Sequence, residues 1–296
     1  MINSLIMNKN KIVIGTAQFG SDYGIHNFNG KVEYHQISKI LDKGLENNIN
    51  SIDTAIAYNN VHKILGNFNM NNWDIYTKIP SVPHNCLNVE KWIFNQINKS
   101  LDELKINLIA GIYIHNPAQL LEEKGNKIYK ALLELKKNKK VKKIGYSVYT
   151  PKQLSSLWNL YKPDIVQLPY NIFDQRFEKS GWLSKLKRHN VTIHARSIFL
   201  QGLVFFSSEK LPKKFSQILP LFKEYEDWLT DLKISKFDGS LAFVIKNQHI
   251  DNYILGFDNC NQISDLINFK VPNIHFPRFN YEVDKKILDP SRWNEL

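Results

Sequence analysis

The chain has 296 residues, a formal net charge of +11 at pH 7 and two cysteines, Cys86 and Cys260. A chain this long buries roughly 75% of the surface of its extended form, so one domain, or two smaller ones, can fold without disulfides. Because the cysteines lie far apart in sequence and in no paired spacing, we expect a reduced, cytoplasmic protein without a metal site.

The amino terminus, residues 1–7, is too short and too polar for a signal peptide, and no apolar run approaches about 18 residues. We therefore expect a protein that does not engage a membrane. Its positive charge suits nucleic acid or phosphorylated small molecules. The main basic cluster, residues 136–143, is interpreted as a solvated helix end and turn. Nucleic acid is disfavoured, because the charges are scattered over predicted outer helices and not interleaved with aromatic side chains.

Short apolar runs alternate with segments of helical periodicity eight times along the chain. The first helical segment, for example, places Ile37, Ile40 and Leu41 on one face. Strands joined by crossover helices form a parallel sheet, and no linker rich in Gly, Ser or Pro interrupts the pattern, so we predict a single domain over residues 1–296. The predicted strands are residues 11–14, 50–53, 74–78, 108–115, 141–147, 164–168, 191–196 and 252–256.

The second half of the chain carries further local signals. Thr150 and Pro151 predict a capped helix start. Residues 199–216 predict a long loop with an exposed aromatic pair, Phe205 and Phe206, and long loops at one end of such a sheet commonly serve a site. Helices are predicted at 221–232, 237–246 and 260–267, and residues 271–296 are predicted to form a tail across one face of the fold.

Polar side chains stand at the ends of three successive predicted strands. Asp53 ends the second strand, and Tyr58 follows it by five residues. Lys78 ends the third strand and His115 ends the fourth, each directly before a turn. An acid, a phenol, an amine and an imidazole in these positions can meet only if the strands are parallel neighbours, as in a barrel.

In this order and on these strands, Asp53, Tyr58, Lys78 and His115 resemble the catalytic tetrad of aldo-keto reductases. The stretch 15–20, Gly-Thr-Ala-Gln-Phe-Gly, is similar to that family's first strand and loop, and the resemblance runs over residues 12–267. It implies a single-domain (β/α)8 TIM barrel that uses NADP(H) or NAD(H) to interconvert a small-molecule aldehyde or ketone and its alcohol. The basic balance favours a sugar-like or phosphate-bearing carbonyl compound over a lipid aldehyde.

The chemistry of the four side chains suggests their roles. Tyr58 is the expected proton donor, and because a free phenol titrates near 10, a cation is expected to stabilise its anion and lower its pKa. Lys78 fits that role, and Asp53 would keep the lysine charged. A neutral His115 would orient the carbonyl group.

The resemblance also implies cofactor contacts. Ser147 and Gln167 would hold the nicotinamide carboxamide, and Gly15 and Thr16 would lie near the nicotinamide ribose. The family commonly has Asn after that Ser, whereas this chain has Val148. Where the family commonly stacks a tyrosine under the nicotinamide, this chain has Arg196, whose guanidinium also stacks on flat rings.

Residues 256–266 resemble the family's adenosine-phosphate loop and the helix after it, with Phe257 and Gln262 as candidate contacts. A helix start can bind phosphate through free backbone N–H groups. Relatives commonly carry a Lys or Arg and an Asn for the 2′-phosphate and adenine, but here Gly256, Gln262 and Leu266 stand there. Carboxylates at 258 and 265 would repel an extra phosphate. NADP(H), NAD(H) and dual use all stay open.

A second class of function is also compatible with the sequence. The alternative to an enzyme is a nicotinamide-cofactor-binding sensor or regulatory protein on the same fold with little turnover, since function lives in the site and not in the fold. The altered cofactor contacts support that alternative, and the complete tetrad argues against it.

Candidates for an aromatic substrate wall are Tyr23, Trp73, Phe199 and Phe205. Candidates for contact with a polar or anionic group of the substrate are Asn171 and Arg176.

Overall fold

Eight parallel strands close into a barrel in which each strand pairs with the next and the last pairs with the first. The computed structural model describes residues 7–277, 279 and 283–296. The predicted (β/α)8 barrel is confirmed, and every predicted strand is present with ends shifted by at most one residue. The strands are β1 Ile12–Gly15, β2 Ser51–Asp53, β3 Asp74–Ile79, β4 Ile109–Ile114, β5 Val141–Ser147, β6 Ile165–Pro169, β7 Thr192–Arg196 and β8 Asn252–Gly256.

Helices lie between the strands and cover the barrel. The described part of the chain has α1 Ala17–Gly20, α2 Tyr34–Glu46, α3 Val61–Leu65, α4 Val89–Leu104, α5 Gly125–Lys137, α6 Pro151–Trp158, α7 Arg176–Lys179, α8 Trp182–Arg188, α9 Leu219–Leu232, α10 Lys236–Ile245 and α11 Cys260–Asn268. Short 3-10 helices are Lys9–Lys11, Met70–Asn72, Pro117–Leu121, Leu200–Phe205, Ser208–Lys210, Lys213–Ile218 and Pro290–Glu295.

The strands and helices form where the apolar pattern places them. All of β4 is buried, because one of its faces fills the barrel and the other packs under helices. The predicted stripe Ile37, Ile40 and Leu41 is the buried face of α2. The hydroxyl of Thr150 accepts a hydrogen bond from the backbone N–H of Gln153 at 3.1 Å, which confirms the predicted cap of α6.

Strand register brings the polar strand ends to one end of the barrel. Asp53 pairs with Gly15 on one side and with Tyr76 on the other, and Ser147 pairs with Gln167. Because all eight strands run in the same direction, their carboxyl ends meet at the same face, where sites in this fold are built.

The segment after β7 differs from the predicted loop. It folds into three short 3-10 helices before α9, and the aromatic pair is half-buried, so the prediction that Phe205 and Phe206 are exposed is wrong. Their rings pack against His26, with ring centres 5.9 and 5.0 Å from it. The aromatic side chains of this insert thus pack against a residue on the loop after β1. The local sequence of the insert does not reveal a partner so distant along the chain.

A second apolar cluster joins this insert, α9 and the described tail. Trp293 packs its ring on Phe215 with centres 4.9 Å apart and donates its indole N–H to the backbone oxygen of Ile287 at 2.9 Å. Residues 1–6, 278 and 280–282 lie outside the described residues, so the predictions for the amino terminus and for the complete tail across one face stay predictions.

The basic run lies at the opposite end of the barrel from the polar strand ends. It comprises the last turn of α5, a turn and the start of β5, as the interpretation of a helix end followed by a turn requires. Lys136 binds both carboxylate oxygens of Asp164 at 2.7 and 2.6 Å, and Lys143 donates to the hydroxyl of Thr192 at 2.9 Å. Part of its charge is therefore neutralised or hydrogen-bonded within the fold.

Within the described ranges, no helix has the length and apolarity needed to cross a bilayer. The same residues contain no group of three or more His, Cys, Asp or Glu side chains arranged to hold a metal ion. Cys86 and Cys260 are both free and half-buried.

Candidate active site

A cleft of about 1100 Å³ opens at the carboxyl ends of the strands. Asp53, Lys78 and His115 line it near the barrel axis, together with Tyr58 from the loop after β2. The cleft continues past the end of β1 to the loop after β8, where Gln262 is part of its wall. One opening therefore connects the predicted tetrad with the segment predicted to hold adenosine.

Asp53 and Lys78 form a buried ion pair at the base of the cleft. The lysine Nζ lies 2.5 Å from the aspartate Oδ2 and also donates to the backbone oxygen of Thr54 at 3.0 Å. Relative exposure is 2% for Lys78 and 5% for Asp53. Charges removed from water to this extent persist only when they are paired and hydrogen-bonded, so each residue fixes the charge of the other.

Tyr58 and His115 stand beside this pair. The Lys78 Nζ lies 5.2 Å from the centre of the Tyr58 ring. The rings of Tyr58 and His115 are 6.2 Å apart, centre to centre, at an interplanar angle of 80°. The structure thus brings all four predicted tetrad residues together at the cleft.

Lys78 does not lower the pKa of Tyr58 as expected. Burial raises the pKa of Tyr58 above its ordinary value, and the negative charge of Asp53 raises it further. Arg196 is the cation that opposes this rise. The expectation considered Asp53 only as the partner of Lys78, whereas its negative charge also acts on the phenol.

His115 has the neutral imidazole that the sequence analysis required. Burial, and then the nearby charges of Lys78 and Arg196, lower the pKa of His115 from 6.5 to about 4. A neutral imidazole carries one N–H donor and one acceptor nitrogen, so at pH 7 it can donate to a carbonyl oxygen.

Ser147 and Gln167 join the ion pair through a chain of hydrogen bonds. The Ser147 hydroxyl donates to the Gln167 Oε1 at 3.2 Å, and the Gln167 Nε2 donates to the Asp53 Oδ1 at 2.6 Å. Both residues line the cleft, as predicted for carboxamide contacts. The link from Gln167 to Asp53 was not foreseen, because 114 residues separate the two in sequence.

Gly15 and Thr16 also line the cleft where β1 ends. The Thr16 hydroxyl is turned toward β2 and donates to the backbone oxygen of Asp53 at 3.0 Å. Thr16 thus stabilises the backbone that carries the carboxylate, while Gly15 presents only backbone to the cleft.

Arg196 lies in the cleft with its guanidinium against an aromatic ring of the protein. Its Cζ is 4.0 Å from the centre of the Tyr149 ring, and its N–H groups donate to the backbone oxygen of Val148 and the hydroxyl of Ser197, each at 3.1 Å. It forms no ion pair with a carboxylate of the described residues. A cation without a carboxylate partner among the described residues therefore acts on Tyr58 and His115.

The loop after β8 lines the far end of the cleft with Phe257 and Asp258, and α11 lines it with Gln262. The backbone N–H group of Asp258 and the first three of α11 already donate to side-chain oxygens, so the expectation that the start of α11 offers free donors to a phosphate is wrong. The donors and acceptors are Asp258 N to Gln262 Oε1 (2.7 Å), Cys260 N to Gln36 Oε1 (3.0 Å), and Asn261 N and Gln262 N to Asn259 Oδ1 (2.9 and 3.2 Å).

The predicted substrate contacts divide into two groups. Tyr23, Phe199 and Phe205 line the cleft. Trp73 does not: it is 7% exposed and precedes β3, at the amino end of the barrel, so its assignment to the substrate wall is wrong. A strand start and a strand end look alike in composition, but they lie at opposite faces of a barrel.

Asn171 and Arg176 are bonded within the protein and do not line the cleft, so their assignment to the substrate is also wrong. Asn171 accepts from the backbone N–H groups of Phe173 and Asp174 and donates to the Ser197 oxygen at 2.9 Å. Arg176 makes a two-pronged ion pair with buried Asp174 at 2.8 and 2.7 Å.

Tyr149 and Gln18 are among the cleft residues to which the sequence analysis gave no role. Tyr149 follows the end of β5 by two residues, and its position after a strand end was a usable signal. Gln18 lies across the end of β8: a Cβ on Gly256 would fall 2.1 Å from its Nε2. Glycine at 256 therefore makes room for Gln18 in the cleft wall.

Comparison with known proteins identifies the family. The chain is similar to the uncharacterized oxidoreductase YqkF of Bacillus subtilis (strain 168), 23% identical over 88% of this chain and 90% of YqkF. The fold is similar to the aldo-keto reductase AKR11C1 from Bacillus halodurans (holo form), with a TM-score of 0.67, 17% identity and 90% of each chain covered. It is also similar to the glycerol dehydrogenase AKR11B4 from Gluconobacter oxydans, with a TM-score of 0.65, 18% identity, and 100% of this chain and 93% of that chain covered.

The model of the aldo/keto reductase family matches residues 11–275, from the start of the barrel past its last helix. Those residues carry all eight strands and the entire polar end of the barrel described above. The chain therefore belongs to the aldo/keto reductase family.

Proposed function

We propose that this protein is an oxidoreductase that interconverts an aldehyde or ketone and its alcohol with a nicotinamide dinucleotide. The observation that carries the proposal is the buried Asp53–Lys78 ion pair, open to a deep cleft and flanked by Tyr58 and His115. A buried charge pair beside titratable side chains in a cleft is a common mark of an active site.

The cleft suits a nicotinamide dinucleotide. Its volume of about 1100 Å³ slightly exceeds the roughly 300–1,000 Å³ of ordinary ligand pockets, which leaves room for an elongated ligand. The Ser147 hydroxyl donates to Gln167 and so keeps lone pairs that can accept from a carboxamide N–H₂. Residues that would hold the cofactor are Gly15, Thr16, Ser147, Gln167, Arg196, Phe257 and Gln262. When bound, the cofactor supplies the hydride that carbonyl reduction consumes.

Tyr58 is the proposed proton donor. Its raised pKa keeps the phenol protonated at rest, so the proton is in place when a carbonyl oxygen arrives. As the proton leaves, the phenolate that forms interacts with the ammonium group of Lys78 and the guanidinium of Arg196. A unit charge about 4 Å away contributes about 4 kcal/mol at an effective dielectric constant near 20, so even a partly compensated cation eases the transfer.

His115 is the proposed positioning donor for the carbonyl oxygen. Its neutral imidazole can aim an N–H at the oxygen while Tyr58 delivers the proton from the side. Asp53 holds Lys78 charged, and Gln167 and Thr54 fix the geometry of that pair. Tyr58 and His115 then act on the carbonyl oxygen, whereas Lys78 and Asp53 act through Tyr58.

The second candidate is a sensor or regulatory protein that binds the cofactor with little turnover. Val148 and Arg196, which depart from the family pattern at the nicotinamide, favour it. The two candidates share cofactor binding and differ in chemistry, so turnover distinguishes them.

Cofactor titration followed by turnover tests the proposal. Quenching of the six tryptophans on addition of NADH or NADPH is expected at about micromolar concentration. Oxidation of the bound reduced cofactor is then measured with a panel of aldehydes and ketones, including sugars and sugar phosphates. Binding with turnover supports the reductase, and binding without turnover across the panel supports the sensor. Failure to bind either cofactor contradicts both.

A further inference from the structure

We infer that Asp258 makes this protein select NAD(H) over NADP(H), by accepting a hydrogen bond from the 2′-hydroxyl of the adenosine ribose. The inference rests on the proposed function, since it concerns the far end of the same cleft. It goes beyond that proposal, because carbonyl reduction by the proposed tetrad is compatible with either cofactor.

Strand pairing places Asp258 at the adenosine end. β8 pairs with β1, with Gly256 opposite Gly15, so the loop after β8 lies beside the loop that leads to the tetrad. The cleft runs without interruption from Tyr58 past Gly15 to Asp258 and Gln262. A dinucleotide with its reactive ring at Tyr58 therefore extends its other nucleoside along this wall.

Asp258 has a carboxylate oxygen without a donor. Its Oδ1 is buried and accepts no hydrogen bond from the described residues, and its Oδ2 accepts only a long one, 3.4 Å, from the Gln262 Nε2. No lysine or arginine of the described part of the chain forms an ion pair with it. The buried Oδ1 is out of reach of a ligand, so a ribose hydroxyl in the cleft would donate to the Oδ2, whose one bond within the described residues is long.

A carboxylate interacts very differently with a ribose 2′-hydroxyl and with a ribose 2′-phosphate. The hydroxyl donates a hydrogen bond to a carboxylate, whereas a phosphate monoester brings a charge of about −1.5 to −2 and meets repulsion. In other dinucleotide-binding folds a carboxylate at the ribose accompanies NAD, and an arginine accompanies NADP. The same chemistry applies here, whatever the surrounding fold.

The start of α11 closes the other route to a phosphate. Helix starts bind phosphate through unpaired backbone N–H groups. Here the N–H groups of Asp258, Cys260, Asn261 and Gln262 already donate to side-chain oxygens, at 2.7 to 3.2 Å. A phosphate would have to displace these bonds, and the loss of each would offset part of its binding.

The other charged side chains at this end of the cleft also disfavour a 2′-phosphate. Along residues 256–270, the cleft is lined by the carboxylates of Asp258 and Asp265 and by one ammonium, that of Lys270. Lys43, nearby on α2, donates to the Ser264 hydroxyl. The side chains that line this stretch of the cleft therefore carry a net negative charge, and like-charge repulsion is expected to lower the affinity for the 2′-phosphate at least about tenfold.

The test uses ligands that differ only at the 2′ position. ADP-ribose and 2′-phospho-ADP-ribose isolate this end of the cleft from the nicotinamide, and NADH and NADPH repeat the comparison with the whole cofactor. Dissociation constants are measured by tryptophan quenching and by calorimetry on the full chain. ADP-ribose and NADH are expected to bind at least about tenfold more tightly than their 2′-phosphorylated forms.

Variants then assign the effect to the side chain. Asp258→Arg is expected to reverse the preference, so that the 2′-phosphorylated ligands bind more tightly. Asp258→Asn keeps the size of the side chain and removes its charge, and it is expected to reduce the ratio between the two dissociation constants. Asp227→Arg makes the same charge change on an exposed position of α9 outside the cleft and is expected to leave the ratio unaltered. Circular dichroism verifies the fold of each variant.

The outcomes separate this inference from the proposed function. Tighter binding of the 2′-phosphorylated ligands by the natural sequence, or equal ratios for Asp258→Asn and the natural sequence, overturns the inference and leaves the reductase proposal standing. If no dinucleotide binds at all, both are overturned.

Discussion

The amide of Gln167 donates to the Asp53 Oδ1 at 2.6 Å, across 114 residues of sequence and in the centre of the barrel. Lys78 takes the other oxygen of the same carboxylate at 2.5 Å. Asp53 therefore has both oxygens bonded and cannot turn toward Tyr58. Gln167 thus fixes the carboxylate of Asp53, and this carboxylate in turn holds Lys78 beside the phenol.

Gln167→Leu is expected to destabilise the protein by about 1–3 kcal/mol, because it leaves a buried carboxylate oxygen without its donor. Gln167 is fully buried, so water does not replace the lost bond. Urea unfolding measures the change. Gln217→Leu, at an exposed position, is the matched control and should change the unfolding free energy by no more than about 0.5 kcal/mol. Equal effects of the two variants would contradict the structural role of the Gln167 bond.

The stability of the protein is expected to fall as pH decreases from about 6.5 to about 4. Burial, with the charge of Lys78, lowers the pKa of His62 from 6.5 to about 4 in the folded protein. In this interval the unfolded chain takes up a proton that folded His62 does not, which favours unfolding by up to about 3 kcal/mol. The contribution of His62 ends below about pH 4, where this histidine is protonated in both states.

His62→Gln tests this origin of the pH dependence. It removes the titrating group, so its loss of stability between pH 7 and pH 4 should be about 2–3 kcal/mol smaller than that of the natural sequence. His84→Gln, at an exposed position, should retain the full slope. Urea unfolding at a series of pH values provides the comparison, and parallel curves for all three proteins would refute the assignment.

Arg196→Ala is expected to weaken the reduced cofactor more than the oxidised one. A guanidinium near the nicotinamide disfavours the positively charged oxidised ring, so its removal relieves repulsion for that form only. Dissociation constants for both forms are measured by tryptophan quenching. Arg188→Ala, at the exposed end of α8, should change neither of the two dissociation constants. A greater loss for the oxidised form would reject this role of Arg196.

The sequence predicts the barrel and the place of the tetrad because both follow from the succession of strands and helices along the chain. Strand ends alternate with helices, and parallel strands bring Asp53, Lys78 and His115 to one face without further information. The wrong assignment of Trp73 has a related cause: it stands next to a strand, but next to the start and not the end.

The electrostatic details depend on distant partners that no local pattern contains. Arg176 was assigned to a ligand because its bond to buried Asp174 becomes visible only in the folded loop. The N–H groups of α11 were expected to be free, but Gln36 reaches Cys260 from 224 residues away. The Tyr58 pKa depends on the sum of burial, Asp53 and Arg196, of which only Asp53 was considered, and only for its effect on Lys78.

Turnover and cofactor affinity of Tyr58→Phe test the central claim, that this phenol delivers the proton to the carbonyl oxygen. The variant should lose at least about 100-fold in turnover with any carbonyl compound that the natural sequence reduces, and cofactor affinity should stay the same. Tyr34→Phe, with the same atom removed from a ring that is 53% exposed, should keep full turnover. Unchanged turnover in Tyr58→Phe would contradict the claim.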